Sequence, residues 1–261
     1  MTYAGDWFFE GAKLPKIFMR FFVTAFCCLL VLASQARAIV GGAPVATDGL
    51  ARMVVGIVGP GDRFCTATAV ARNLFLTAGH CVEPNGNQKM KYRDTKHEWQ
   101  FVTVAEVQRH PQFNIQPRSV TADIALVKLA NSLPVGVEVA ELGLKHRPIW
   151  PGDRLTVIGG GVSVRGNHQT GFNRIATLVM ASPYSLLQVR LIDPSGKVGA
   201  CYGDSGAPVF QAVDRHAQLI AVVSWAGNSN GRKGCGEQTG ATLLSPYREW
   251  IIQTMDKLGA G

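Results

Sequence analysis

From residue 39 onward, apolar residues come in short runs closed by Gly, Pro, Asn or Asp. Met53 to Val58, Phe75 to Ala78, Phe101 to Val107 and Ile124 to Leu129 have the length and β-branched content of strands. The same holds for Leu155 to Ile158, Ile175 to Met180, Leu186 to Ile192, Pro208 to Phe210 and Leu219 to Ser224. No long helical period separates these runs, which disfavours a parallel sheet with crossover helices and predicts an all-β fold. Only the C-terminus has a helical period. Tyr247, Trp250, Ile251, Met255 and Leu258 recur at three- and four-residue steps, with Ser245 and Pro246 as the expected start and Gly259 beyond the end. A polar stretch with prolines, Asn131 to Pro151, is the expected connection between two β halves.

Before residue 39 the pattern changes. Phe21 to Ala33 is one apolar run behind Arg20, too short to span a bilayer, and it leads to Ala36-Arg37-Ala38, whose alternating small residues fit a signal-peptidase site. Residues 1–38 are therefore read as an export signal cut before Ile39, with Met19 as an alternative start and 1–18 as an upstream extension of the reading frame. The expected location is secreted or periplasmic, with membrane contact only in transit.

Composition sharpens this reading. Of the 261 residues 47% are hydrophobic and 17% charged, enough apolar side chain for one large all-β domain or two small ones. The net charge of +8 falls by two when 1–38 is removed, since that segment takes four cations and two anions with it. No run of Lys or Arg with interleaved aromatics is visible along the chain, so nucleic acid is not an expected partner. Cys27 and Cys28 leave with the signal, and Cys65, Cys81, Cys201 and Cys235 remain. Four cysteines in an exported chain suggest two disulfides, with three pairings open; zinc spacing is lacking, no loop has the acid pattern of a calcium site, and no cofactor is expected.

Hydrolytic acyl transfer needs a hydroxyl activated by a base, an acid that orients the base, and donors for the oxyanion. Thr77-Ala78-Gly79-His80-Cys81 ends a strand on a histidine, Asp123 opens the apolar run 124–129, and Gly203-Asp204-Ser205-Gly206 sets a serine in a glycine turn. Each alone has a dull explanation: a Gly-Asp turn, a surface histidine, an acid at a strand start. The other histidines, His97, His110, His146, His168 and His216, are read as structural or exposed.

Together with Ile39-Val40-Gly41-Gly42, these three segments closely resemble the chymotrypsin/trypsin family of serine peptidases, in its order His, Asp, Ser. Arg109-His110-Pro111-Gln112-Phe113-Asn114 and Ser224-Trp225 are similar to further family segments. The resemblance covers Ile39 to Gly261, and the lack of other disulfides fits a simpler, bacterial member. It implies two packed antiparallel six-stranded β-barrels of the chymotrypsin type and a C-terminal α-helix. Residues 39–138 would form the first barrel with His80 and Asp123, 139–244 the second with Ser205, and 245–261 the helix.

The resemblance also assigns roles. Ser205 is the expected nucleophile, His80 the base, Asp123 the orienting acid supported by Ser224, and the N–H groups of Gly203 and Ser205 the oxyanion hole. Ile39, once freed, is expected to pair with Asp204, and the implied disulfides are Cys65–Cys81 and Cys201–Cys235. Gly199, Ser224, Trp225, Ala226 and Gly240 would line the substrate pocket. Gly199 stands where an aspartate would attract Arg or Lys, so cleavage after neutral or apolar residues is expected, and Ala226 is expected to narrow the pocket. The chain departs from the common pattern at Gly79, Gly160, Ala207 and Ala226, none of which removes a reacting group. The implied activity is endopeptidase action on protein or peptide substrates by a monomer open to a proteinaceous inhibitor. Two other readings stay open: an inactive binding protein on the peptidase fold, and a glutamate-preferring enzyme using Arg232 or Lys233 of the loop from Ala226 to Cys235.

Overall fold

The computed structural model describes residues 39–47, 49–84, 86–114, 122–145, 147–163, 170–181, 185–228 and 234–260. The expected signal at 1–38, and Arg232 and Lys233, lie outside the described residues. Six strands close a first antiparallel barrel: β1 (Val54–Val58), β2 (Phe64–Ala71), β3 (Leu74–Thr77), β4 (Lys89–Arg93), β5 (Trp99–Arg109) and β6 (Ala125–Leu129), in the order β1-β2-β3-β6-β5-β4. A two-residue strand, β7 (Glu141–Leu142), lies within the connection and pairs parallel with residues 218–219. The second barrel is β8 (Arg154–Gly159), β9 (Arg174–Met180), β10 (Gln188–Ile192), β11 (Pro208–Val213), β12 (His216–Gly227) and β13 (Gln238–Leu243), closed by β11–β12 pairing. Both closed six-stranded barrels match the fold expected from the sequence.

Two-residue periodicity splits the strands at the barrel junction between two cores. Phe75 on β3 and Ala125, Val127 and Leu129 on β6 fill the first barrel, while Leu74, Leu76 and Leu126 point outward to the second. Leu155 and Val157 of β8 fill the second barrel, and Ile158 meets Phe210 and Val222 in the layer between the two. That layer also takes Tyr247, Ile251 and Leu258, so the helix seals the junction. The α-helix itself, α1 (Arg248–Lys257), begins later than expected: Ser245 opens a 3₁₀ turn, Ser245–Tyr247, and Tyr247 occupies the N-cap position with no side-chain cap.

The segment after Ile39 is strapped to the second barrel, with Val40 bridged to Gly199 and Val45 to Arg174. Both disulfides formed are those implied by the resemblance, Cys65–Cys81 with Cα atoms 6.0 Å apart and Cys201–Cys235 at 4.4 Å.

The basic charge is less scattered than the linear sequence implied. On β4 the fully buried Met90 points into the first barrel, so Lys89, Lys91 and Arg93 share the outer face. Their cross-strand partners on β5 are Thr103, Phe101 and Trp99. A cationic row with aromatic neighbours thus exists; Lys-Met-Lys-Tyr-Arg hid it because a strand shows every second residue on one side.

Candidate active site

The end of β3 delivers His80. After Thr77 the chain runs extended through Ala78 and enters a 3₁₀ turn, Gly79–Cys81, which the Cys65–Cys81 disulfide ties back to β2. Asp123 sits before β6, anchored by the fully buried Ile124. Its Oδ1 accepts the His80 backbone N–H at 2.9 Å, and Oδ2 faces His80 Nδ1 at 2.8 Å. Ser224 Oγ donates to the same Oδ2 at 2.6 Å. Burial pushes the Asp123 carboxyl up, but the His80 side chain, the Ser224 hydroxyl and the His80 N–H outweigh it and hold the group below its ordinary range. An ionised carboxylate can only accept, so in the neutral imidazole Nδ1 carries the proton and Nε2 the lone pair. Gly79 allows a close lid: a Cβ there would lie 3.0 Å from the Phe113 ring and 3.3 Å from Asp123 Oδ1.

The serine turn docks against this histidine turn. Gly206, next to Ser205, has φ +80°, and a Cβ there would come within 2.2 Å of Thr66 O and Thr77 Oγ1 and 3.0 Å of Ala78 N. Only glycine permits that approach. Ser205 O accepts from Thr66 N at 2.8 Å, and Gly206 N donates to Val223 O at 2.7 Å. Thr66 holds the turn a second time, its Oγ1 donating to Gly203 O at 2.8 Å and accepting from Gly160 N at 3.2 Å. Sequence reasoning missed Thr66, since a threonine in a strand reads as an ordinary β-former.

Asp204 is fully buried and unlike Asp123. Its Oδ1 accepts Gly161 N and its Oδ2 accepts Cys201 N, both at 2.8 Å. A Cβ at Gly159 would come within 2.1 Å of Oδ1, so the glycines at 159 and 161 leave the notch that receives the carboxylate. Burial raises this carboxyl to about 7 despite the two N–H donors. Ile39 is also fully buried, in the core of the second barrel, with φ 43°, a left-handed conformation rare for a β-branched residue. A Cβ at Gly160 would lie 3.3 Å from Asn173 Oδ1, 3.4 Å from the Phe64 ring and 3.5 Å from Gly171, and Gly171 N donates to Gly160 O at 2.6 Å.

In the pocket region Gly199 is hemmed in by the Gly236 backbone, 2.8 Å from where a Cβ would stand, and it brings no charge. Thr239 is fully buried and accepts from Ala200 N at 3.0 Å. Trp225 and Gly240 are cross-strand partners, and a Cβ on Gly240 would collide with the Trp225 indole at 1.9 Å. The indole N–H reaches Gln188 Oε1 at 3.3 Å. Ala226 is half-buried and packs at the edge of the second barrel's core, and the group lying across Gly240 is Trp225. Ligand atoms of Cys65, His80 and Cys81 lie within 4.8 Å of one another, but the disulfide already uses both sulfurs.

Two closed barrels, with an acid-held histidine turn docked on a serine turn at their junction, define a class of two-barrel enzyme. The trypsin family model matches residues 39–251. The chain is 27% identical over 225 residues to the vitellin-degrading protease of Bombyx mori, covering 78% of this chain and 81% of that one. It is 26% identical over 212 residues to trypsin-1 of Astacus astacus, covering 72% and 86%. With venom serine protease 34 of Apis mellifera it shares 28% over 217 residues, 74% of this chain, but it spans only about half, 52%, of that longer protein. The chain therefore belongs to the trypsin family and is a serine endopeptidase.

Proposed function

We propose that this serine endopeptidase is exported and cleaves polypeptides after neutral, small to medium residues, using Ser205, His80 and Asp123. The observation that carries the reading is the bonding of Asp123 to both His80 N–H groups and to Ser224, which leaves Nε2 free to take a proton. Ser205 Oγ attacks the scissile carbonyl, Nε2 receives its proton and passes it to the leaving amine, and water repeats the sequence on the acyl-enzyme. The N–H groups of Gly203 and Ser205 receive the oxyanion, and loss of one such donor costs about 2.7–4 kcal/mol of activation free energy. The specificity reading rests on the uncharged Gly199 and on the indole of Trp225 over Gly240, which shortens the pocket.

Activation follows from the same geometry. With Ala38 attached, Ile39 carries an amide held at φ 43°, while among the described residues no cation lies within ion-pair distance of the buried Asp204. Cutting after Ala38 frees an ammonium that would supply the charge and release the strained dihedral. Signal cleavage would thus activate the enzyme in its secreted or periplasmic destination. Among the described residues no helix is long and apolar enough to cross a membrane. A proteinaceous inhibitor would bind as a substrate does. The test combines N-terminal sequencing of exported, active enzyme with a cleavage profile on a peptide library: a start at Ile39 and cuts after small apolar residues support the reading. Dominant cleavage after Arg, Lys or Glu, or a different start, contradicts it.

A further inference from the structure

The outer face of the first barrel continues from the serine turn to the cationic row of β4. Register places Thr66 of β2, Gly56 of β1, Lys91 of β4 and Phe101 of β5 in one line across four strands. At one end Thr66 Oγ1 holds Gly203 O. Next to it the Phe64 ring lies 3.0 Å from where a Gly203 side chain would begin. Lys91 Nζ stands 6.0 Å from the centroid of that ring and 4.4 Å from that of Trp99, and the Arg93 guanidinium packs on Trp99 at 5.0 Å and Phe172 at 5.1 Å. Gly56, Lys91, Arg93, Trp99 and Phe172 border a cavity of about 270 Å³.

One cation on the cavity wall, Arg52, is paired with Glu138 at 2.7 Å. Among the described residues no carboxylate lies within ion-pair distance of Lys89, Lys91 or Arg93. Asp94 lines the cavity, but its oxygens already accept Lys96 N, Glu98 N and Gln100 Nε2. Aromatic faces hold the two charges in place, and partial burial desolvates Lys91, which strengthens its contact to an arriving anion.

We propose that Lys91 and Arg93 form a subsite for an acidic side chain of the polypeptide, on the leaving-group side of the scissile bond. This rests on the catalytic reading above. His80, from the first barrel, protonates the leaving amine, so the departing segment lies over the first barrel while the acyl side occupies the pocket of the second. Strands lie about 4.8 Å apart, so Lys91, two strands beyond Thr66, is about 10 Å from the serine turn; an extended peptide covers that in about three residues. The occupant is thus an Asp or Glu roughly two to four residues past the cut, in a protein substrate or inhibitor.

The test uses matched internally quenched peptides with Glu, Gln or Lys at those positions, read as ratios of kcat/KM within one enzyme preparation so that folded fraction cancels. The expected Glu:Lys ratio is about three- to tenfold at low salt, shrinking toward one in 0.5 M NaCl. It inverts in the double variant Lys91→Glu, Arg93→Glu. Ratios near one in the wild type, or a preference that survives the charge reversal, overturn the subsite, as does a single-stranded oligonucleotide that binds the row while acidic peptides show no preference. Turnover of an apolar p-nitrophenyl ester, which has no residues past the reacting bond, separates the two failures: ester hydrolysis with indifferent peptides removes only the subsite, whereas no ester hydrolysis removes the catalytic reading and the subsite with it.

Discussion

Asp204 offers a sign-specific test of how the buried terminus and the serine turn are coupled. With Ala38 attached, its carboxyl is raised from the ordinary 3.8 to about 7 by burial. The folded state therefore keeps a proton that the unfolded chain loses between about pH 4 and pH 7. Stability must fall as pH rises through that window and stay level above it. Three units at 1.36 kcal/mol each give a loss of about 4 kcal/mol. Asp204→Asn does not titrate there, so in the precursor the variant gains about 4 kcal/mol on the wild type between pH 4 and pH 7.5. After cleavage at Ile39 an ammonium facing Asp204 would lower its pKa and close the window, and removing the acid would then leave a buried charge unpaired, costing about 3–5 kcal/mol. Urea unfolding followed by tryptophan fluorescence, on chains that also carry Ser205→Ala to prevent self-digestion, measures both forms. A variant-to-wild-type difference that ignores pH in the precursor, or is the same before and after cleavage, refutes the reasoning.

Three further outcomes follow from individual contacts. Thr66→Val keeps the strand but removes the bond to Gly203 O, so steady-state kinetics should show kcat down about tenfold with KM nearly unchanged; a change confined to KM would contradict a role in holding the oxyanion turn. Trp225→Ala removes the indole from Gly240, and a library profile should extend to Leu, Phe and Tyr before the cut; an unchanged profile would free Trp225 of that role. Burial lowers the pKa of His110, which packs edge-on to Tyr247 and Trp250, each at 4.9 Å. Its neutral form therefore adds stability above about pH 6.5 that is lost as pH falls below it, and thermal melts at pH 5 and 7 should show a smaller acid loss in His110→Gln than in the wild type.

The strands legible in the sequence were those built from large or β-branched apolar residues, such as β6 and β9. Strand β2, Phe-Cys-Thr-Ala-Thr-Ala-Val-Ala, gave no alternation because six of its eight residues are buried, one face in the first barrel and the other against the second. Small residues fill such a two-sided strand, and β13, Gln-Thr-Gly-Ala-Thr-Leu, was hidden the same way. Strand β4 failed for the opposite reason, with only Met90 fully buried among polar neighbours. At the site, the residues proposed to react announced themselves through motifs, whereas those that hold them did not. Thr66 and Phe64 act through register and close approach, and Gln188 meets Trp225 from 37 residues away in the chain. Such partners exist only once the barrels close.

The most direct measurement of the central claim is labelling with a fluorophosphonate, which reacts only with a serine made nucleophilic by a neighbouring base. The account predicts one adduct per molecule, mapped to Ser205 by peptide mass spectrometry, with labelling abolished in His80→Ala and loss of peptide hydrolysis in step with labelling. An unlabelled, folded protein with Ile39 at its free terminus, or an adduct on another serine with Ser205 intact, would contradict it.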